Sequence, residues 1–392
     1  MAAPVALRAL SRDVTPRRIE RVALLGPAPP DRGGIARETA LLARELEARA
    51  GVSWFTFSRP YPRWLDPRRF DRSPGDTAPP EARPSLDYLS ARSWKRTARQ
   101  IASSQADALI APWWTSFWGV PLRSVLSEVR ALAPRTARVL LCHNVSDHEA
   151  RMLERFLTLG AFLAADGFVV HAETDRARLA HRVPGRPVAV LPHPVVDSPR
   201  PSRHEARRAL EVSTPLVLFL GLVRRYKGVD VLLDAAPRIV RETGATIAVV
   251  GEVFPEARYL TRRWEASAVR DRILWRDGYV SEEEMGLWLA ACDVVVLPYR
   301  YVSGSGIAAR ALAARRPMAA AAVGGLSETV RPGATGELFA PEDPDALAQA
   351  VERVLSSGLD HYEPGLTRAA REASWPRYVD GLLGFFESLT EN

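Results

Sequence analysis

The chain has 392 residues, 47% hydrophobic and 25% charged; this excludes a wholly disordered polymer and, at roughly 150–200 residues per core, implies two domains. No run of about 18 apolar residues occurs, so no membrane-crossing helix is read. Arg8 and Arg12 break the N-terminal stretch where an export signal needs an unbroken apolar segment, and a cytoplasmic location is expected.

Residues 1–18 read as a disordered tail. Strand-like apolar runs then alternate with helical patterns: VALLG (22–26), VSWFTF (52–57), ALIAPW (108–113), VLLCH (139–143), GFVVH (167–171) and VAVLPH (188–193). A Pro/Ser-rich stretch from Pro192 to Ser202 marks a linker. The runs resume at PLVLFLG (215–221), TIAVVGE (246–252), DVVVLPY (293–299) and PMAAAAV (317–323). Helices are expected over Ile35–Arg49, Val229–Arg241, Glu282–Ala291 and Pro344–Leu355. Alternation of this kind predicts α/β architecture: two doubly wound parallel sheets with helices on both faces. The expected boundaries are 19–197 and 203–370, with 371–392 as a terminal helix. Residues 58–91, rich in Pro, Arg and Asp, break the alternation and form a long connection that Tyr61, Trp64 and Phe70 could anchor.

The charge is uneven. Residues 1–100 hold 19 Arg and Lys against 11 Asp and Glu, whereas the rest hold 34 against 35. A basic first quarter fits an anionic partner such as a membrane surface, and equally a solvated arginine-rich face. Within it, Trp94, Ala98 and Ile101 share one helical stripe flanked by Lys95, Arg96 and Arg99. That stripe suits either an anionic bilayer or the domain's own core. No nucleic-acid recognition module is present, and no nucleic acid is expected as a partner. Cys142 and Cys292 read as buried thiols.

In open α/β sheets, ligands bind beyond the carboxyl ends of the strands. Gly33-Gly34 follow the first strand there. His143-Asn144, His171 and His193 each end an apolar run. His143 and His148 are five apart, without the spacing of a helical zinc pair, and no metal site is read. Neither a dinucleotide fingerprint nor a P-loop occurs. GLVRRYKG (221–228) instead places Arg224, Arg225 and Lys227 between a strand end and a helix start, where side chains and helix N–H groups can meet a diphosphate. Only two lysines, Lys95 and Lys227, stand among 53 basic residues, so a lysine in this turn points to a need for a compact ammonium. Gly304, Ser305 and Gly306 open a second helix. VGGLSET (323–329), with Glu328, opens a third. Three such starts in one half of the chain fit a nucleotide-diphosphate ligand.

GLVRRYKGVDVLLDA, WRDGYVSEEEMGLWLAACDVVVLPY, SGSGIAARALAARRP and AAAVGGLSETVRPGATGELFAPEDPDALAQAV resemble, in order, the nucleotide-sugar domain of the retaining glycosyltransferases of family 4. PAPPDRGGIARETALLARELE and LLCHNVSDHEARMLE resemble that family's acceptor domain. The resemblance implies the GT-B fold, two Rossmann-like domains facing each other across a cleft. It implies transfer of a hexose from a nucleotide-diphosphate sugar to a glycan, lipid-linked or small-molecule hydroxyl, with retention and with neither metal nor other cofactor. On it, Gly33 and Gly34 face the donor diphosphate, and His143 sits beside the sugar. Arg224 and Lys227 neutralise the phosphates. Tyr279 and Val280 lie near the base, and Gly304, Ser305 and Gly306 contact the sugar or distal phosphate. Glu328 matches an acid common in the family. Asn144, His148, Trp113 and Trp114 fall on the acceptor side. The chain departs in two places. Leu222 stands where the family usually has Arg, and Val302 and Arg310 stand where many members have two Glu. A subset with Ser-x-Ser-Gly shares the second departure. That leaves two rival readings: a binding protein with degenerate chemistry, or a sugar-nucleotide epimerase or hydrolase of the same fold.

Overall fold

A computed structural model describes residues 18–31, 34–60, 79, 81–145, 152–195 and 200–390. The N-terminal domain holds strands β1 (Arg21–Leu25), β2 (Gly51–Arg59), β3 (Ala82–Asp87), β4 (Ala108–Trp113), β5 (Ala137–Cys142), β6 (Gly167–Val170) and β7 (Val188–Val190). Its helices are α1 (Gly34–Glu47), α2 (Ala91–Ser103), α3 (Gly119–Leu132), α4 (Met152–Ala164) and α5 (Glu173–Arg182). The second domain runs through α6 (Arg203–Ala209), β8 (Leu216–Leu220), α7 (Val229–Thr243), β9 (Thr246–Gly251), α8 (Tyr259–Glu265), β10 (Ile273–Asp277), α9 (Glu282–Ala291) and β11 (Val294–Leu297). It continues with α10 (Gly306–Ala313), β12 (Met318–Ala321), α11 (Leu326–Thr329), β13 (Gly336–Phe339), α12 (Pro344–Ser357), α13 (Leu359–Glu372) and α14 (Trp375–Thr390).

Both sheets are parallel. Their orders are β3-β2-β1-β4-β5-β6-β7 and β10-β9-β8-β11-β12-β13. Each reverses direction beside its first strand, and there the loops part to leave a crevice at the carboxyl edge. The two Rossmann-like domains of the expected GT-B fold are present. Central strands such as β4 and β8 are buried along their whole length, because helices cover both faces, and so they read as unbroken apolar runs.

Three strands escaped the sequence reading: β3, β10 and β13. All three are sheet edges with mixed burial, so their sequences carry no continuous apolar signal. β3 lies inside the 58–91 stretch. Tyr61, Trp64 and Phe70, like residues 1–17 and 196–199, lie outside the described residues.

Two helices bear on the edge. α14 packs Trp375, Tyr378, Val379, Leu382 and Phe386 into the N-terminal core. Val195 donates its N–H to the Ala373 carbonyl at 2.7 Å, tying the crossover to the same place. The α2 stripe is spent inside the domain. Ala98 and Ile101 are buried, and the Trp94 Nε1–H donates to the Asp87 carbonyl at 2.8 Å. The apolar face left open among the described residues belongs to α4, where Phe156, Leu159 and Leu163 are exposed. No described helix is long and apolar enough to cross a membrane.

Candidate active site

The turn after β8 is shaped by close approach. Gly228 has φ of 66°, and a Cβ there would meet the Pro298 carbonyl oxygen at 1.8 Å. Only glycine lets the turn press against the end of β11. Arg300 then clamps it. Its backbone N–H donates to the Tyr226 carbonyl at 2.8 Å, its Nη1 donates to the Arg225 carbonyl at 2.7 Å, and its guanidinium grips Asp230 at 2.8 and 3.1 Å. Lys227 is thereby held with Nζ 3.7 Å from the centre of the Tyr299 ring and 5.1 Å from that of Tyr226. Among the described residues it forms no ion pair. Burial pushes its pKa down. The side chain is half-buried and hydrogen-bonded to Tyr226, and a cation–π contact adds about 0.5–2 kcal/mol. No described carboxylate balances this positive charge, and an anion placed at the turn would meet it.

Arg224 is placed differently. Its Nε donates to Glu256 Oε1 at 2.8 Å, and its guanidinium carbon lies 4.7 Å from the centre of the Phe254 ring. Of the two expected phosphate cations, Lys227 is the one without an acid beside it. Leu222, where the family usually has Arg, is 46% exposed.

The loop into α10 lies alongside. Ser305 caps this helix, its Oγ accepting from the Ala308 N–H at 3.2 Å, and Gly306 is the first helical residue. The free N–H groups of this helix start sit in the loop that begins at Tyr299. Gly324, at φ of 46°, and Gly325 approach the carbonyls of Val302 and Ser303 so closely that a Cβ would lie 1.9 and 2.0 Å from them. Tyr279 is exposed and Val280 buried in the loop after β10, where the Tyr279 carbonyl accepts from Arg276 at 3.1 Å.

Glu328 is committed to the other domain. Its carboxylate accepts from the N–H groups of Glu173 and Thr174 at 2.8 and 3.1 Å, closing the start of α5. A second bridge runs through Glu282, which is held bidentately by Arg310 at 2.8 and 3.0 Å and also meets Arg37 of α1. The position that is acidic in many family members is thus an arginine satisfied by an acid from α9.

On the N-terminal side, His143, His171 and His193 converge at the sheet edge, around a residue the sequence reading passed over. Glu38, in the first turns of α1, lies 3.2 Å from His193 Nε2, 3.6 Å from His143 Nδ1 and 4.0 Å from His171 Nε2. His171 Nδ1 meets the Leu191 carbonyl at 3.0 Å, and His171 Nε2 meets His143 Nδ1 at 3.4 Å. His193 Nδ1 lies 3.3 Å from the Pro194 carbonyl. Burial works to raise the Glu38 pKa, but the three histidines and the His193 hydrogen bond outweigh it and hold the carboxyl well below its usual range. Burial alone would lower the His193 pKa; Glu38 reverses this and raises it. Burial lowers that of His143, and pushes that of His171 down to about 3. Glu38 and His193 favour each other's charged forms, while burial favours the neutral forms of His143 and His171. Glu38, His143 and His171 each bring one donor atom within 4.8 Å of the others.

The domains meet over this cluster. A Cβ on Gly304 would lie 3.2 Å from that of His171, and Gly306 faces His193. A small cavity bordered by Leu42, Pro112, His143, Trp375 and Tyr378 runs beside Glu38. Gly34 begins α1, exposed and free of close neighbours; Gly33 and His148 lie outside the described residues. Asn144 is half-buried next to His143. Trp113 corrects the acceptor-side expectation. It is 2% exposed and packs edge-on against Phe162, because strand alternation turns the last side chain of β4 under α4. Trp114 is half-buried, tilted against Phe57 and Trp118.

Two parallel-sheet domains joined by a crossover, their carboxyl edges opposed around a half-buried cation and helix starts, define the GT-B fold. Residues 214–357 match the family model for glycosyl transferases group 1. The chain is similar to a D-inositol 3-phosphate glycosyltransferase of Pseudarthrobacter chlorophenolicus, 26% identical over 403 residues covering 92% of this chain and 93% of that one. It is also similar to an alpha-D-kanosaminyltransferase of Streptomyces kanamyceticus, 28% identical over 60% of this chain and 62% of that one. Among solved structures, sucrose-phosphate synthase from Thermosynechococcus elongatus superposes with a TM-score of 0.73 at 20% identity, covering 94% of this chain and 99% of that one. HepE of Anabaena in complex with UDP and glucose gives 0.72 at 16% identity, covering 94% and 99%. These likenesses bear on the fold.

Proposed function

We propose that this glycosyltransferase moves a hexose from a nucleotide-diphosphate sugar to a hydroxyl acceptor, with retention and without a divalent metal. The observation that carries the reading is Lys227, a half-buried ammonium hydrogen-bonded to Tyr226 with no described carboxylate beside it, in the β8–α7 turn. A leaving diphosphate placed there gains the cation and the helix N–H groups together, a preorganised electrostatic site. HepE of Anabaena, which shares the fold, is solved in complex with UDP and glucose, and this supports the same donor class.

The bond between the anomeric carbon and the diphosphate oxygen breaks as the bond to the acceptor oxygen forms on the same face. The acceptor proton passes to the departing phosphate oxygen. His143 orients the sugar. Gly34, Tyr279, Val280, Gly304, Ser305 and Gly306 line the donor side, and Arg224 reaches it by leaving Glu256. Closure of the domains excludes the water that would otherwise hydrolyse the donor. Asn144 and Trp114 flank the acceptor. A lipid-linked acceptor at the inner face of an anionic membrane fits the basic first quarter of the chain and the open face of α4.

A panel of nucleotide-diphosphate sugars, screened by thermal shift and then by product formation with and without a chelator, tests this. A stabilising donor, a retained anomeric configuration in the product and indifference to chelation are expected. Inversion, or activity lost to the chelator, overturns the corresponding clause. A second reading, binding without turnover, draws on Leu222 and Arg310; it predicts a stabilising donor that no acceptor consumes.

A further inference from the structure

We infer that His171 fixes the tautomer of His143, leaving His143 Nε2 as a hydrogen-bond acceptor that selects a hydroxyl-bearing sugar over a carboxylate-bearing one. The inference deepens the proposed function and rests on it only for the final step, that His143 touches the sugar.

The chain of protons starts at a group with no choice. The Leu191 carbonyl can only accept, so the His171 nitrogen 3.0 Å from it, Nδ1, carries a hydrogen. His171 is buried to 1% side-chain exposure, and His193 stands beside it, ring centre to ring centre at 5.0 Å. Burial and that neighbouring positive charge keep His171 neutral. A neutral imidazole with hydrogen on Nδ1 has a lone pair on Nε2. The contact of 3.4 Å between that lone pair and His143 Nδ1 is then a hydrogen bond only if His143 Nδ1 is the donor.

Glu38 pulls the same way. Its carboxylate lies 3.6 Å from His143 Nδ1, and a negative charge there favours a hydrogen on that nitrogen. It is itself fixed by the His193 Nε2–H at 3.2 Å. Among the described residues the ring of His143 is left with one nitrogen without a partner, Nε2, across the ring from the Nδ1 that faces Glu38 and His171, and it bears a lone pair. Such an atom accepts from a sugar hydroxyl and repels a uronate carboxylate, which has no hydrogen to give at neutral pH. His171 and Glu38 are therefore positioning residues, acting through His143.

The test is read on the full-length protein labelled with nitrogen-15 in histidine, the His143 signals being assigned by their loss in His143→Asn. The expected spectrum near pH 7 shows His143 with hydrogen on Nδ1 and a pyridine-type Nε2. Hydrogen on Nε2, or a doubly protonated ring, overturns the inference without any donor being known. His171→Phe removes the acceptor and should let His143 sample both tautomers. His171→Gln should restore the wild-type tautomer, because its amide can donate to the Leu191 carbonyl while its oxygen accepts from His143. With the donor that the screen identifies, His171→Phe should lower kcat by about 10–100-fold, the loss typical of an orienting partner, and His171→Gln should recover most of it. Glucose and glucuronate on the same nucleotide should differ at least tenfold in kcat/KM, in favour of glucose. Equal use of both refutes the selectivity clause. Failure of every donor counts against the proposed function and leaves the tautomer measurement standing.

Discussion

The two edges that face each other across the cleft handle charge in opposite ways. The N-terminal edge balances its own: Glu38 lies 3.2 Å from His193 and raises its pKa, while burial lowers those of His143 and His171 beside them. The C-terminal edge leaves Lys227 against aromatic faces, with no described acid to meet it. A self-balanced cluster holds side chains in fixed orientations, while an unbalanced cation waits for an anion. One edge orients, and the other binds.

The largest effect should come from removing the unbalanced charge. Lys227→Met should lower kcat with the identified donor by about 10²–10³-fold, as deleting one preorganised donor to a developing charge does. The melting temperature of the unliganded variant should hold or rise, since a desolvated ammonium is replaced by an apolar chain of similar length. A variant that melts lower while turning over normally would place Lys227 among the structural residues and dissolve the contrast.

The self-balanced edge should reveal itself in the pH dependence of stability. His171 titrates at about 3 when folded, against about 6.5 for a free histidine. Below about 6.5 the unfolded chain therefore takes up a proton that the folded chain refuses, and stability falls toward acid by about 1.4 kcal/mol per pH unit for this group. His193 has the opposite sign. Its pKa is raised by Glu38 against burial and Arg310, so its contribution is whole below about 6.5 and is lost as pH rises through the raised value. Denaturant titrations at pH 5, 6.5 and 8 should show His171→Phe with a shallower acid limb and His193→Gln with a shallower alkaline limb. Slopes unchanged from wild type would mean the four side chains do not share protons as described.

Closure joins the two edges and should cost less to disturb. Glu328→Gln weakens a carboxylate that accepts two N–H groups at the start of α5. Cap interactions of this kind are worth about 1 kcal/mol, so KM for the donor should rise about fivefold with little change in kcat. A larger radius of gyration in solution scattering should accompany it. An unchanged KM would show that the cleft closes without this bridge.

Much of this was legible in the sequence, and the gaps have physical causes. Strands covered on both faces, such as ALIAPW and PLVLFLG, announce themselves as apolar runs. Ala82–Asp87, Ile273–Asp277 and Gly336–Phe339 line sheet edges and mix exposed or half-buried with buried positions. Lys227 stood out because lysine is so rare in this chain. Glu38 did not, because a glutamate between Arg37 and Thr39 reads as a solvated helix face. The available clue was its place four residues before Leu42, which is buried, and so on the inward side of α1. Trp113, put on the acceptor side by the resemblance alone, is 2% exposed against Phe162, because alternation decides whether the last side chain of a strand points out or under a helix.

The smallest effect concerns charge on neither edge. The exposed basic face of α2 includes Lys95 and Arg99, while the helix's apolar side is buried in its own domain. Reversing both to Glu should change unfolding free energy by no more than about 0.5 kcal/mol, as for surface positions without tight partners. Transfer to a soluble acceptor should be untouched, because these residues lie outside the opposed edges. Flotation with vesicles containing anionic lipid is the sensitive readout, since each basic residue near such a surface contributes about 1 kcal/mol. Loss of flotation at low salt in the double variant, with turnover intact, would give the basic first quarter the membrane-facing role. Flotation absent already in the wild type would make those arginines a solvated surface, and Lys227 would then be the cation whose charge matters to the chemistry.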